Sequence, residues 1–176
     1  LANDPHLGLT LPSIWFQVQI HIPESNTYGV SLPGLPGVVI GFNENVAWGI
    51  TNVGVDVSDW YRIHWADAGK NSYFLDNQPK RTELRIENIV VKGRDLPLLD
   101  TVRYTVWGPV VYESADQPLH DCAYRWLAHD PSVRSTIEQF ALLNASKSFN
   151  DYQRALVDFD CPAQNFVFAA KAGDIA

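Results

Sequence analysis

The stretch Ile14-Trp-Phe-Gln-Val-Gln-Ile-His-Ile22 decides how the first half of the chain is read. Ile14, Phe16, Val18, Ile20 and Ile22 alternate there with Gln17, Gln19 and His21. A period of two sorts the side chains onto opposite faces of an extended strand, here one apolar face for a core and one polar face. Downstream, Tyr28-Gly-Val-Ser-Leu-Pro-Gly-Leu-Pro-Gly37 is punctuated like a loop. It runs into Val38-Val-Ile-Gly-Phe-Asn43, a short apolar run of buried-strand type. Residues 60–65, 82–91, 102–107, 109–112 and 122–127 read as further strands, with Gly108 marking a bend or a pairing turn.

The second half changes period. Ser135-Thr-Ile-Glu138 has the form of a capping box, and Ile137, Phe140, Ala141 and Leu143 follow it. Ser148-Phe-Asn-Asp151 offers a second N-cap, with Phe149, Tyr152, Leu156 and Phe159 at helical spacing. Asp160-Cys-Pro162 ends that helix, because proline disfavours helical geometry at the residue before it. Asn165-Phe-Val-Phe-Ala-Ala170 returns to a strand. Strands, two helices and a final strand define an α+β chain rather than a strict βαβ alternation.

The length of 176 residues suits one domain, and a complete domain of that size buries about 70% of its unfolded surface. Thirteen Lys and Arg against 20 Asp and Glu give a net charge of −7, with no basic cluster, which argues against nucleic acid as a partner. No apolar run approaches the ~20 residues of a membrane span. There is no Met, and a chain opening Leu1-Ala-Asn-Asp4 is expected to be a processed subunit or an excised piece. Cys122 and Cys161 leave one disulfide open, since sequence cannot place them within bonding distance. No dinucleotide, phosphate-loop, HExxH, CxxC or G-x-S-x-G motif occurs, and the five histidines have no ligand spacing. Asn144-Ala-Ser146 is a glycosylation sequon that serves equally as the end of the first helix. The six tryptophans fit core packing better than a carbohydrate platform.

Longer matches carry more. Leu1-Ala-Asn-Asp-Pro-His-Leu7, Gly29-Val-Ser-Leu-Pro-Gly-Leu-Pro-Gly37, Ile40-Gly-Phe-Asn43, Ala47-Trp-Gly-Ile-Thr-Asn-Val-Gly54 and Asp56-Val-Ser-Asp59 resemble, in order and spacing, the catalytic subunit of the penicillin acylase family. The specific part covers roughly residues 1–65. The helical pair and Gln164-Asn-Phe-Val-Phe-Ala169 resemble the family more loosely. The resemblance implies an N-terminal-nucleophile hydrolase, with residues 1–176 forming a single fragment of its catalytic domain. The fold implied is part of an αββα sandwich, mainly antiparallel sheet with two helices in the second half. The activity implied is hydrolysis of an amide by an N-terminal Ser whose own α-amine is the base, upstream of Leu1. The chain alone is then expected to be inactive.

Residue by residue, the resemblance puts the backbone N–H of Asn52, or of Val53, at the oxyanion. An ordinary loop role for Asn52 stays open. His6 falls near the nucleophile as an orienting neighbour or as a structural turn histidine. Leu7, Ile40 and Ile50 fall where relatives line the acyl pocket. Aliphatic residues at the first two positions suggest an aliphatic or broad acyl group rather than strict phenylacetyl. Asp56, Ser58 and Asp59 match a structural Ca²⁺ site, two of them through carboxylates and one through a main-chain carbonyl, with further ligands needed from elsewhere. No organic cofactor is implied. The implied partners are a small-molecule amide and the remaining segments or α-subunit of the precursor, and the implied location is periplasmic or secreted. A secreted, calcium-stabilised β-rich binding module is the competing class.

Overall fold

The computed structural model describes residues 1–112, 114–130 and 133–176. Along the described chain run β1 (Phe16–Ile22), β2 (Ser25–Ser31), β3 (Ile40–Phe42), β4 (Val46–Asn52), β5 (Ser58–Arg62), β6 (Ser72–Leu75) and β7 (Gln78–Arg81). Then follow β8 (Glu83–Ile89), β9 (Leu98–Thr105), β10 (Gly108–Val110), β11 (Cys122–Trp126), α1 (Thr136–Asn144), α2 (Phe149–Leu156) and β12 (Gln164–Ala170). Two compact units result. The first is Leu1–Val55 with the described part of Pro131–Ala176, and the second is Asp56–Asp130.

The first unit is one sheet, ordered β1-β2-β3-β4-β12, with every neighbouring pair antiparallel. Register sets its core. Trp48 stands opposite Phe168, Ile50 opposite Phe166 and Val46 opposite Ala170, so these six share a face. Phe140 and Leu143 of α1 and Tyr152 and Ala155 of α2 pack on that face, around a fully buried Trp48. Val38 also drops onto the sheet, where Gly29 and Gly41 stand opposite each other. A Cβ on either glycine would come within 2.6 Å of Val38 Cγ1, so the pair leaves the pit that the valine fills.

Both helices start where the caps in the sequence place them. Ser135 Oγ accepts from the Glu138 N–H at 3.2 Å, and Ser148 Oγ accepts from the Asp151 N–H at 3.2 Å. The second helix ends at Leu156, earlier than the Asp160-Cys-Pro162 break, and Phe159 packs against the core from the segment after it.

The alternation in β1 is real, but most of its apolar face is uncovered. Val18 packs against the core, whereas Phe16, Ile20 and Ile22 are exposed, because β1 is the edge strand of this sheet. The second unit is an antiparallel sheet ordered β5-β11-β10-β9-β8, plus the β6–β7 hairpin. Ile63, Tyr73, Val110 and Ala123 form its small core, and Leu84, Ile86 and Leu99 at its β8 edge lie open to solvent. Cys122, in this unit, and Cys161, in the first, are free thiols. No helix among the described residues is long and apolar enough to cross a membrane.

Two stability measurements follow. Phe168→Ala empties the centre of the first core and is expected to cost about 3–5 kcal/mol in urea unfolding. Ile86→Ala, on the open edge, is expected to stay within about 0.5 kcal/mol. The Asp151 carboxylate accepts from Ser148 Oγ and the Lys147 N–H, and these bonds, the hydroxyl's first, hold its pKa below the ordinary carboxylate value. A pKa lowered on folding stabilises fully above about pH 3.9, the unfolded value, and that stabilisation fades as pH falls through the folded one. The stability difference between wild type and Asp151→Ala is therefore expected at pH 6 and should shrink progressively in acid.

Candidate functional site

The site is built where β4 leaves its sheet. Ile50 faces the helices, on the same side as Trp48, and Asn52 is the last residue of the strand. The N-terminal segment has no regular structure before β1, yet it is pinned. Asn3 Nδ2 donates to the Ile50 carbonyl at 3.1 Å, and its side chain lies over Gly49. A Cβ at residue 49 would come within 2.5 Å of Asn3 Cγ, so glycine is required for the segment to lie this close. His6 and Leu7 are carried onto the end of β4 by that anchor.

There they join a cavity of about 420 Å³. Leu7 and Ile50 meet Trp15, Val39, Phe140 and Phe159 in its wall, and Asn52 and Gln164, paired across β4 and β12, supply much of its polar lining. Among the described lining residues His6 is the one titratable side chain, with Nε2 3.8 Å from the exposed Asp4 carboxylate. The described lining residues carry no carboxylate or ammonium, which suits an uncharged, mainly apolar group.

Of the residues singled out from the sequence, the fold brings His6, Leu7, Ile50 and Asn52 into this one cavity. Ile40 and Val53 are not among its described lining residues. Ile40 pairs with Val30 on the sheet and packs against the core, while its neighbour Val39 takes the wall position. Val53 follows the end of β4 and is exposed. Asn52 Oδ1 accepts from the Gly54 N–H at 2.8 Å, and its carbonyl accepts from Asn165 Nδ2 at 3.3 Å, so the strand end is held from both sides. Phe140 and Phe159 were legible only as helix-face residues. Their spacing announced burial but not a cavity.

In the second unit, Asp56 Oδ1 accepts from the Ser58 N–H at 3.4 Å, and Asp59 stands in β5 opposite Arg125. Arg125 itself is engaged by Asp130 at 2.6 Å. Hard oxygen donors suit Ca²⁺, which takes six to eight of them. Three from this loop do not complete a site, and no group of three His, Cys, Asp or Glu side chains among the described residues is arranged to hold a metal.

The first unit is thus an antiparallel sheet with two helices on one face and an apolar cavity at the end of β4. Over 97% of its length the chain matches 30% of a thermostable penicillin G acylase from Alcaligenes faecalis, with a TM-score of 0.79 and 24% identity. The penicillin amidase family model matches residues 1–176. The chain is 34% identical, over 96% of its length, to acyl-homoserine lactone acylase QuiP of Pseudomonas aeruginosa. It is 28% identical, over 70% of its length, to penicillin acylase 2 proenzyme of Pseudomonas sp. strain SE83. It belongs to the penicillin amidase family. These matches cover 21% and 15% of the two relatives, so the chain spans about a fifth or less of their length. Membership of a family of acylases does not favour the binding-module class.

The ligand count can be tested directly. A cation at a hundred times its Kd raises stability by about 2.7 kcal/mol. Adding millimolar Ca²⁺ to the 176-residue chain is expected to leave its melting temperature unchanged.

Proposed function

We propose that the whole protein is an acylase that hydrolyses the amide bond of a small molecule carrying an aliphatic acyl chain. The observation that carries this reading is the convergence of Leu7, Ile50, His6 and Asn52 on one apolar cavity, brought there from two separate segments. The cavity would take the acyl chain. The amide carbonyl would then lie at the strand end, where a backbone N–H of Asn52 or Val53 would meet the developing oxyanion. His6 would orient groups at the rim.

The nucleophile is assigned to a residue outside this chain, an N-terminal Ser by resemblance. Its oxygen attacks the carbonyl, the amine leaves with a proton, and water then hydrolyses the ester to release the acid. Ca²⁺ would be structural, drawing on Asp56, Ser58 and Asp59 together with ligands from the remainder of the protein. Export to the periplasm or beyond rests on family resemblance alone.

An aliphatic rather than phenylacetyl preference is supported by Leu7 and Ile50 in the cavity wall and by the similarity to acyl-homoserine lactone acylases. The whole enzyme should release acyl chains from N-acyl-homoserine lactones with higher kcat/KM than from phenylacetyl amides. A strong phenylacetyl preference would overturn the specificity. The 176-residue chain should resist labelling by serine-directed sulfonyl fluorides, and stoichiometric labelling would show a nucleophile within it.

A further inference from the structure

We infer that Asn144 is a positioning residue for the acyl cavity, setting the distance between two of its walls; the inference rests on the acylase reading above. Asn144 is the last residue of α1, and among the described residues every bond its carboxamide makes goes to one wall or to the residue beside the other. Nδ2 donates to the Phe140 carbonyl at 2.8 Å and to the Val38 carbonyl at 2.7 Å, and Oδ1 accepts from the Val38 N–H at 2.8 Å. Phe140 lines the cavity from α1, and Val39, next to Val38, lines it from the β2–β3 connection. One side chain thus ties together two segments more than 100 residues apart in sequence, with both donor hydrogens and its acceptor engaged.

A second asparagine holds the first. Asn43 Nδ2 donates to the Asn144 carbonyl at 3.0 Å and to the Ser146 carbonyl at 2.8 Å. Its Oδ1 accepts from the N–H groups of Asn45 and Val46, which fixes it to the turn before β4. Ser146 Oγ belongs to the same cluster but donates to Leu142, touching neither wall. Val39 stays bonded to Trp48 and Val30, so loosening Asn144 frees Val38 and the Phe140 end of α1 to move apart and deepens the cavity, whereas loosening Ser146 only weakens the helix end. An apolar pocket discriminates acyl chains by shape, so a displaced wall changes which length fits best.

The test measures kcat and KM of the whole acylase on amides of increasing acyl length, for wild type, Asn144→Asp, Asn144→Ala, Asn43→Ser and Ser146→Ala. Asn144→Asp keeps the shape but turns an oxygen toward the Val38 and Phe140 carbonyls. It and Asn144→Ala should raise the long-to-short ratio of kcat/KM by about tenfold, carried by KM, with kcat on the best substrate within about twofold. Asn43→Ser should move the ratio in the same direction and by less. Ser146→Ala should lower the melting temperature and leave the length profile in place. An unmoved profile in every folded Asn144 and Asn43 variant, or an equal movement in Ser146→Ala, overturns the role of Asn144. Should no Asn144 variant accumulate as folded protein by circular dichroism, the Asn43→Ser profile decides. Wild-type enzyme that hydrolyses no acyl amide would instead defeat the acylase reading itself.

Discussion

A fully buried indole is costly when its N–H has no acceptor, and Trp48 has one because Val39 is where it is. Its Nε1 donates to the Val39 carbonyl at 2.9 Å. An unsatisfied buried partner would cost about 1–3 kcal/mol, so the bond ties the β2–β3 connection to the centre of the sheet. Val38 fills the Gly29–Gly41 pit from the same connection, and Asn144 grips Val38 on both its backbone groups. Core, helix end and cavity wall consequently share the two residues Val38 and Val39. The cavity is a by-product of how this stretch crosses the sheet, and its dimensions follow from the core's.

Local chemistry made some of this legible in the sequence. The two serine caps announced both helices, since a hydroxyl three residues ahead of an orphan N–H is a purely local device. Alternation announced β1, yet it could not say that Phe16, Ile20 and Ile22 would be left open. Amphipathic spacing reports which residues share a face, not what covers that face. The strand β2 was hidden because Gly29 and the serines at its ends have weak strand preference, and its pairing is imposed by β1 and β3. The β6–β7 hairpin went unread although its signal was present. Asp76 and Asn77 both take positive φ, the two-residue turn that aspartate and asparagine tolerate best.

The candidate site divides along the same line. Leu7 and His6 line one cavity with Ile50 and Asn52, but the sequence does not show that Asn3 is what brings them there. That contact depends on the missing side chain at Gly49, fixed by a strand 46 residues downstream. Ile40 and Val39 differ by one position, and it is Val39, in the bend just before β3, that lines the cavity. The sequon at Asn144 shows the reverse case. Read alone it suggests a surface modification, whereas both hydrogens of its amide are spent inside the fold.

The order of segments in the first unit also bears on how the chain comes into being. Asn52 pairs with Gln164, and Trp48 with Phe168, so β4 meets its last neighbour across more than a hundred residues. On a ribosome, β1 to β4 emerge long before the helices and β12 that complete their core. The intervening Asp56–Asp130 unit is contiguous in sequence. Synthesis thus delivers a contiguous middle before the outer unit can close, and the apolar face around Trp48 waits uncovered in the meantime. For a chain of this topology, translation speed and chaperone occupancy bear on yield as directly as the stability of the finished fold.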